Sequence, residues 1–223
     1  MIENIDLKDV AILVDFDGTI TTEDTNTRLI DHFGDRDKTR AIRKDFNEGK
    51  INFPQYFDKE IDQLRISEEE YIDFLLEEIE LSPGFLEFYK IARQKDITIG
   101  IISGGFSNGI VPYLKKYGID DIEIFSNKLI FDENGPSIEF LDGKDTMCCD
   151  KGPCGNCKIK HYNRYKKIAE KVIFVGDGVT DMPVAEEADI VFAKDALADY
   201  LDKKDIGYIE YGTFNDINNI IFK

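Results

Sequence analysis

The sequence predicts an α/β fold: a Rossmann-like parallel sheet flanked by helices, with a helical cap inserted after the first strand. Three observations carry that expectation. Short apolar, β-branched runs recur at Val10 to Val14, Ile97 to Ile102, Val172 to Val175 and Ile190 to Ala193, and each reads as a strand buried on both faces. Stretches with helical spacing lie between them, as at Phe85, Phe88, Tyr89 and Ala92 or at Ile110, Tyr113, Leu114 and Tyr117, and such alternation implies a parallel sheet covered on both sides. From about Asp24 to Leu81 the rhythm breaks, because that segment holds several helical patterns and no convincing strand.

In chain order, the run Val10 to Val14 is the first strand and the helical segment follows it. The last helix of that segment is signalled by Ser67 and Glu70, a capping box ahead of Tyr71, Phe74, Leu75 and Ile79. Ser82-Pro83 reads as the N-cap and first-turn proline of the next helix. The expected division is a core of residues 1–22 and 82–223 and a cap of residues 23–81. Past the second strand, Leu129 to Phe131 and Ile138 to Leu141 flank Asn134-Gly135, a hairpin signal. The four cysteines Cys148, Cys149, Cys154 and Cys157 come next, and a basic helix begins near Lys158. The runs at Val172 and Ile190 complete the parallel set.

Composition bounds the function. The chain has 223 residues, a length suited to one domain with an insertion or to two small domains. Hydrophobic residues at 42% and charged residues at 33% fit a globular protein and not a disordered one. A net charge of −17 argues against nucleic acid and membrane surfaces as partners. No apolar run approaches the ~18 residues of a membrane span, and the N-terminus lacks the basic and apolar regions of a signal peptide, so the expected compartment is the cytoplasm.

The sharpest motif is Asp15-Phe16-Asp17-Gly18-Thr19, directly after the first strand. Ligands bind at that end of the strands in open α/β sheets. Asp15 and Asp17 share a face while Phe16 turns to the core, and like charges so close need a cation or a proton. A divalent metal, a shared acid/base task, or both would supply it. A solvated turn would explain Asp17-Gly18 alone, but not two acids after five apolar residues. At the second strand's end, Ser103-Gly104-Gly105 offers a hydroxyl and backbone N–H groups before a helix, an anion site in principle and common turn chemistry otherwise. Gly176-Asp177-Gly178-Val179-Thr180-Asp181 ends the third. Asp181 precedes Met182-Pro183 as a helix-capping acid would, whereas Asp177 has no comparable structural reason. Lys158 stands at a helix start, where the dipole disfavours a cation. That position hints at acids facing it.

Three strands ending in Asp-x-Asp, Ser and Asp, with a lysine between the last two, resemble the haloacid dehalogenase superfamily. The order Asp15-x-Asp17-Gly-Thr, Ser103, Lys158, Gly-Asp177-x4-Asp181 matches its four motifs from Val10 to about Ala193. The helical insertion matches the cap of its phosphoserine phosphatase-like branch. Within that branch, Cys154-Gly-Asn-Cys157-Lys158 and Phe192-Ala-Lys-Asp195 are similar to the phosphatases of methionine salvage. Phosphoethanolamine and phosphocholine phosphatases also carry cysteines before the motif lysine. This chain differs from the salvage enzymes in a shorter cysteine segment and in having no Trp.

The resemblance implies a sheet with the first strand central and a Mg²⁺-dependent phosphatase working through an aspartyl-phosphate. Asp15 would be the nucleophile and Asp17 the general acid and base. Asp15, the backbone carbonyl of Asp17, and Asp177 would hold Mg²⁺. Ser103 and the Gly104 N–H would bind phosphate, Lys158 would add positive charge, and Asp181 would orient Lys158 or a metal-bound water. A cap closing over the site favours small phosphorylated metabolites and excludes protein and polynucleotide substrates. Phosphoserine, phosphoethanolamine and pyridoxal phosphate, or a phosphoryl transfer by the same chemistry, are the alternatives. A signalling receiver domain also accepts phosphate on a strand-end Asp, but has no use for a large helical insertion. Asp24 and Arg28 stand at the cap entrance, as leaving-group contacts or as an i, i+4 salt bridge. The cysteines could hold a structural Zn²⁺, with His161 as a substitute ligand, pair in a local disulfide, or stay as thiols. Oligomeric state is not legible.

Overall fold

The computed structural model describes residues 7–147 and 152–222. Its strands are β1 (Val10–Val14), β2 (Thr98–Phe106), β3 (Glu123–Asp132), β4 (Gly135–Glu139), β5 (Lys171–Gly176), β6 (Ile190–Ala193) and β7 (Ile209–Glu210). They form a seven-stranded sheet in the order β4-β3-β2-β1-β5-β6-β7, so β1 is central. Every neighbouring pair is parallel except β3 and β4, the hairpin expected around Asn134-Gly135.

Helices α1 (Thr25–Phe33), α2 (Arg36–Asn47), α3 (Phe53–Asp62) and α4 (Glu68–Glu78) follow β1, and α5 (Phe85–Gln94) leads into β2. Beyond β2 come α6 (Ser107–Lys116), α7 (Lys158–Tyr165), α8 (Met182–Ala185), α9 (Asp195–Lys204) and α10 (Phe214–Ile221). No helix among the described residues is long and apolar enough to cross a membrane.

The unbroken apolar run of β1 is needed because helices cover both faces of the sheet. Val10, Ile12 and Val14 join the core that contains Phe88, Tyr113 and Phe214. Ala11 and Leu13 point the other way, into a second core with Tyr165, Val184 and Leu197. Buried residues of α1, α3 and α4, among them Leu29, Phe57, Ile61 and Phe74, continue the first core. The Phe57 ring stacks on Phe106 at 5.2 Å between centroids.

The helical segment leaves and re-enters the sheet through one narrow neck. Thr21 and Leu81 form an isolated antiparallel bridge, Thr22 N donates to Glu80 O at 3.0 Å, and Ser82 N donates to Ile20 O at 2.8 Å. Those bonds correct one expectation: Ser82-Pro83 does not open a helix, because Ser82 belongs to the neck. The cap of α5 is Gly84, whose φ of 88° is left-handed. The capping box of Ser67 and Glu70 forms as expected. A second correction concerns β2, which runs on past Ser103 through a register irregularity to Phe106, so that α6 starts only at Ser107. Ser103 and Gly104 therefore sit on the strand and not at a helix N-terminus.

Two stability measurements check this layering. Leu13→Ala removes a fully buried side chain from the central strand and should cost about 2–5 kcal/mol in urea unfolding. Ser67→Ala, which deletes only a cap, should cost about 1 kcal/mol.

Candidate active site

Register brings the motif residues together. Val14 pairs with both Ile101 and Val175, so the ends of β1 and β5 lie level with the part of β2 just before Ser103. The chain continues straight from β1 into Asp15, whose N–H donates to Val175 O at 2.9 Å. A turn over Phe16–Ile20 then carries Asp17 with non-helical φ and ψ and Gly18 at φ 79°. Gly18 is required there, since a Cβ would lie 2.5 Å from Asp177 Oδ2.

Lys158 is the keystone. Its ammonium lies 2.7 Å from Asp15 Oδ1 and 2.5 Å from Asp181 Oδ1, with the side chain only 4% exposed. Burial alone would lower the lysine's pKa, but the Asp15 and Asp181 carboxylates outweigh it and hold the ammonium above its usual range. Asp181 is wholly buried and its Oδ2 accepts from the N–H groups of Asp177 and Gly178, at 2.9 and 3.0 Å. Its side chain makes no cap bond to α8; it ties the Asp177 turn to Lys158 instead.

Asp17 is a separate subsite. Its Oδ1 accepts a short hydrogen bond from Thr25, and its Oδ2 accepts from Ser103 Oγ at 2.7 Å. Ser103 Oγ in turn accepts from Gly105 N at 2.7 Å. Burial first, then the charge of Asp24, raises Asp17 to about 6. Burial and Asp181 raise Asp177 to about 7, although Thr19 donates to its Oδ1 at 2.7 Å. Burial and the same negative neighbours push Asp15 well above the carboxylate range.

Oxygens of Asp15, Asp177 and Asp181 lie within 4.8 Å of one another, the metal-competent cluster among the described residues. Four ionised carboxylates against one ammonium would leave three buried negative charges, a donor set of hard oxygens that fits a divalent cation. Asp181 is the poorest ligand of the three, with Lys158 and two backbone N–H groups already on its oxygens.

A cavity of about 250 Å³ opens over this edge, lined by Asp15, Asp17, Gly104 and Asp177 and, from the helical segment, by Asp24, Arg43, Phe53, Tyr56, Phe57 and Glu60. Asp24 caps α1 by accepting from Thr27 N at 2.6 Å, while Arg28 pairs with Glu23 at 3.4 Å. The expected Asp24–Arg28 salt bridge is thus replaced, and Arg28 is not among the residues lining the cavity.

Of the cysteine block, Cys148 and Cys149 lie outside the described residues. No disulfide joins Cys154 to Cys157. His161 is engaged through its Nε2, which bonds Asn156 Oδ1 at 2.8 Å; its ring stacks on Phe125, and burial lowers its pKa to about 4. Asn156 also donates to Ser103 O and Phe125 O, at 2.8 and 2.9 Å, and so splints β2 to the loop that delivers Lys158. Zn²⁺ has no support among the described residues.

Asn156, Thr25, Arg43 and Glu60 are the site residues that motif reading missed. Glu60 alone left a signal, as a carboxylate on the apolar face that Phe57, Ile61 and Leu64 mark out.

This sheet, with β1 central and a buried Asp–Lys–Asp cluster at the end of β1, defines a phosphatase of the haloacid dehalogenase type. The chain belongs to the family described as Putative Phosphatase, whose model matches residues 10–198, and it is a phosphoric monoester hydrolase. It is 29% identical over 215 residues, 96% of each chain, to 2-hydroxy-3-keto-5-methylthiopentenyl-1-phosphate phosphatase of Brevibacillus brevis. It is 29% identical to polyol phosphate phosphatase of Saccharomyces cerevisiae, over 93% of this chain and 90% of that one. Among solved structures, a phospho-aspartyl intermediate analogue of phosphoserine phosphatase superposes with a TM-score of 0.70 at 26% identity, over 96% of this chain and 99% of that one.

Asp17 and Asp177 bind a proton more tightly folded than unfolded. Their contribution is therefore fully present below the unfolded value of 3.8 and lost as pH rises through about 6 and 7. In metal-free buffer the Tm should fall between pH 5 and pH 8 by about 5 °C or more, and a flat or rising profile would contradict the assignment.

Proposed function

We propose that the protein is a Mg²⁺-dependent phosphatase of small phosphorylated metabolites, acting in the cytoplasm through an aspartyl-phosphate on Asp15. The observation that carries this reading is Asp15 itself, at the end of the central strand, 2.7 Å from a buried ammonium and beside a cluster of carboxylates.

Asp15 attacks phosphorus with a carboxylate oxygen, and the bond from phosphorus to the ester oxygen breaks. Asp17, with its pKa raised to about 6, gives its proton to the departing alkoxide. The same carboxylate then takes a proton from water as that water attacks the aspartyl-phosphate, releasing inorganic phosphate and restoring Asp15. Lys158 neutralises charge beside Asp15, and Asp181 holds Lys158 in place. Ser103 and the Gly104 N–H would cradle equatorial oxygens, which requires the Ser103 proton to turn away from Asp17 Oδ2. Mg²⁺ held by Asp15, the Asp17 carbonyl and Asp177 would offset the charge of the phosphate.

Residues 23–81 are the proposed cap, and its cavity of about 250 Å³ suits a ligand smaller than the drug-sized ones of ~300–1,000 Å³ pockets. A second, mainly apolar cavity shares Phe53, Gly104, Val179 and Thr180 with the first and adds Ile159, Met182 and Pro183. That neighbour favours an ester with an apolar tail, such as the methylthiopentenyl phosphate of the Brevibacillus relative, over phosphoserine.

Asp15→Asn should lower turnover by more than about a thousandfold with the fold intact, measured as released phosphate and by circular dichroism. EDTA should stop phosphate release from a panel of small esters and Mg²⁺ should restore it; activity persisting in metal-free enzyme would refute the metal's role.

A further inference from the structure

We infer that Glu60 and Arg43 form a leaving-group site that selects hydroxyl-bearing alcohols and rejects carboxylate-bearing ones. The inference rests on the phosphatase reading above and assigns the substrate class of that same cavity.

Glu60 lies in α3 between Phe57 and Ile61 and faces the cavity that reaches Asp15 and Asp17. Its side chain is 2% exposed, yet neither carboxylate oxygen accepts a hydrogen bond. Burying a carboxylate without donors is costly, and an apolar residue would pack against Phe57 and Ile61 at no such cost. The lone pairs are open to donors from whatever fills the cavity.

Arg43 Nε stands 3.9 Å from Glu60 Oε1, beyond hydrogen-bond distance, and another guanidinium nitrogen lies 3.8 Å from Asp31. Arg43 is the one cation among the described lining residues, and Asp24 adds a further negative charge to the same wall. A carboxylate on the leaving group would confront Glu60 and Asp24 while Arg43 is already shared. A hydroxyl meets both needs, donating to Glu60 and accepting from Arg43, and the Phe53 and Phe57 rings flank its carbon chain.

The test uses the Mg²⁺-loaded full chain and measures kcat and KM for glycerol 3-phosphate, 3-phosphoglycerate, phosphoserine and p-nitrophenyl phosphate, whose leaving group has no alcohol hydroxyl beyond the ester oxygen. Wild type should favour glycerol 3-phosphate over both carboxylate-bearing esters at least tenfold in kcat/KM. In Glu60→Gln the ratio of glycerol 3-phosphate to p-nitrophenyl phosphate should fall about tenfold, chiefly through KM, as expected when a hydrogen bond to a charged group is weakened. Glu60→Arg should shift preference toward 3-phosphoglycerate. Preference of the wild type for carboxylate-bearing esters, or an equal loss on all esters in Glu60→Gln, would overturn the site. Should Glu60→Gln fail to fold, Arg43→Lys must lower the same ratio, and its failure to do so would overturn it too. No phosphate release from any ester would instead overturn the phosphatase reading on which the site depends.

Discussion

One ammonium, buried between two carboxylates, joins the parts of this active edge. Lys158 starts α7, Asp15 directly follows β1, and Asp181 closes the turn after β5. A lone buried charge would be strongly disfavoured, so each of the three is tolerated only because the others are present. The second oxygen of Asp181 holds the N–H groups of Asp177 and Gly178, which extends the same constraint to a third acid, Asp177. Geometry and charge balance are therefore one property: no member can drift without exposing another to an unpaired environment.

That balance is incomplete by design of the donor set. Burial lifts Asp15, Asp17 and Asp177 above the ordinary carboxylate range, because one lysine cannot satisfy four acids. The remaining demand for positive charge is local, and the chain's net −17 has little part in it, since surface charges beyond ~8 Å are largely screened at physiological salt. Asp17 is set apart from the cluster by Thr25 and Ser103, which leaves one carboxyl in hydrogen-bonded surroundings of its own.

Much of this was legible in the residues. Uninterrupted apolar runs marked β1, β5 and β6 because strands buried on two faces can carry no polar alternation, and Ser67 with Glu70 announced α4 through local capping alone. Asp15, Asp177 and Lys158 were legible as charges in places with little structural use for them, whereas Asp17 and Asp181 also had a turn and a capping reading. What could not be read depended on partners distant in sequence. Ser82-Pro83 looked like a helix start until the Ile20 carbonyl claimed its N–H. The continuation of β2 beyond Ser103 depends on β3, and β7 is too short to leave a pattern. Glu60 showed only as a carboxylate on an apolar helix face and Arg43 not at all, because the cavity they line exists only when α2 and α3 fold over the sheet edge.

The neck at Thr21 and Leu81 has a consequence for how such proteins diversify. Because the helical segment departs and returns through adjacent, mutually bonded residues, the chain enters and leaves it at one neck, while its inner faces pack on β2 and α6 as part of the first core. Its cavity-facing positions can be exchanged without altering the register that brings Asp15, Ser103 and Asp177 together. A lineage built this way can retain an unchanged reaction while trading one metabolite for another. Relatives with different substrates are then expected to diverge most in the helices and least at the strand ends.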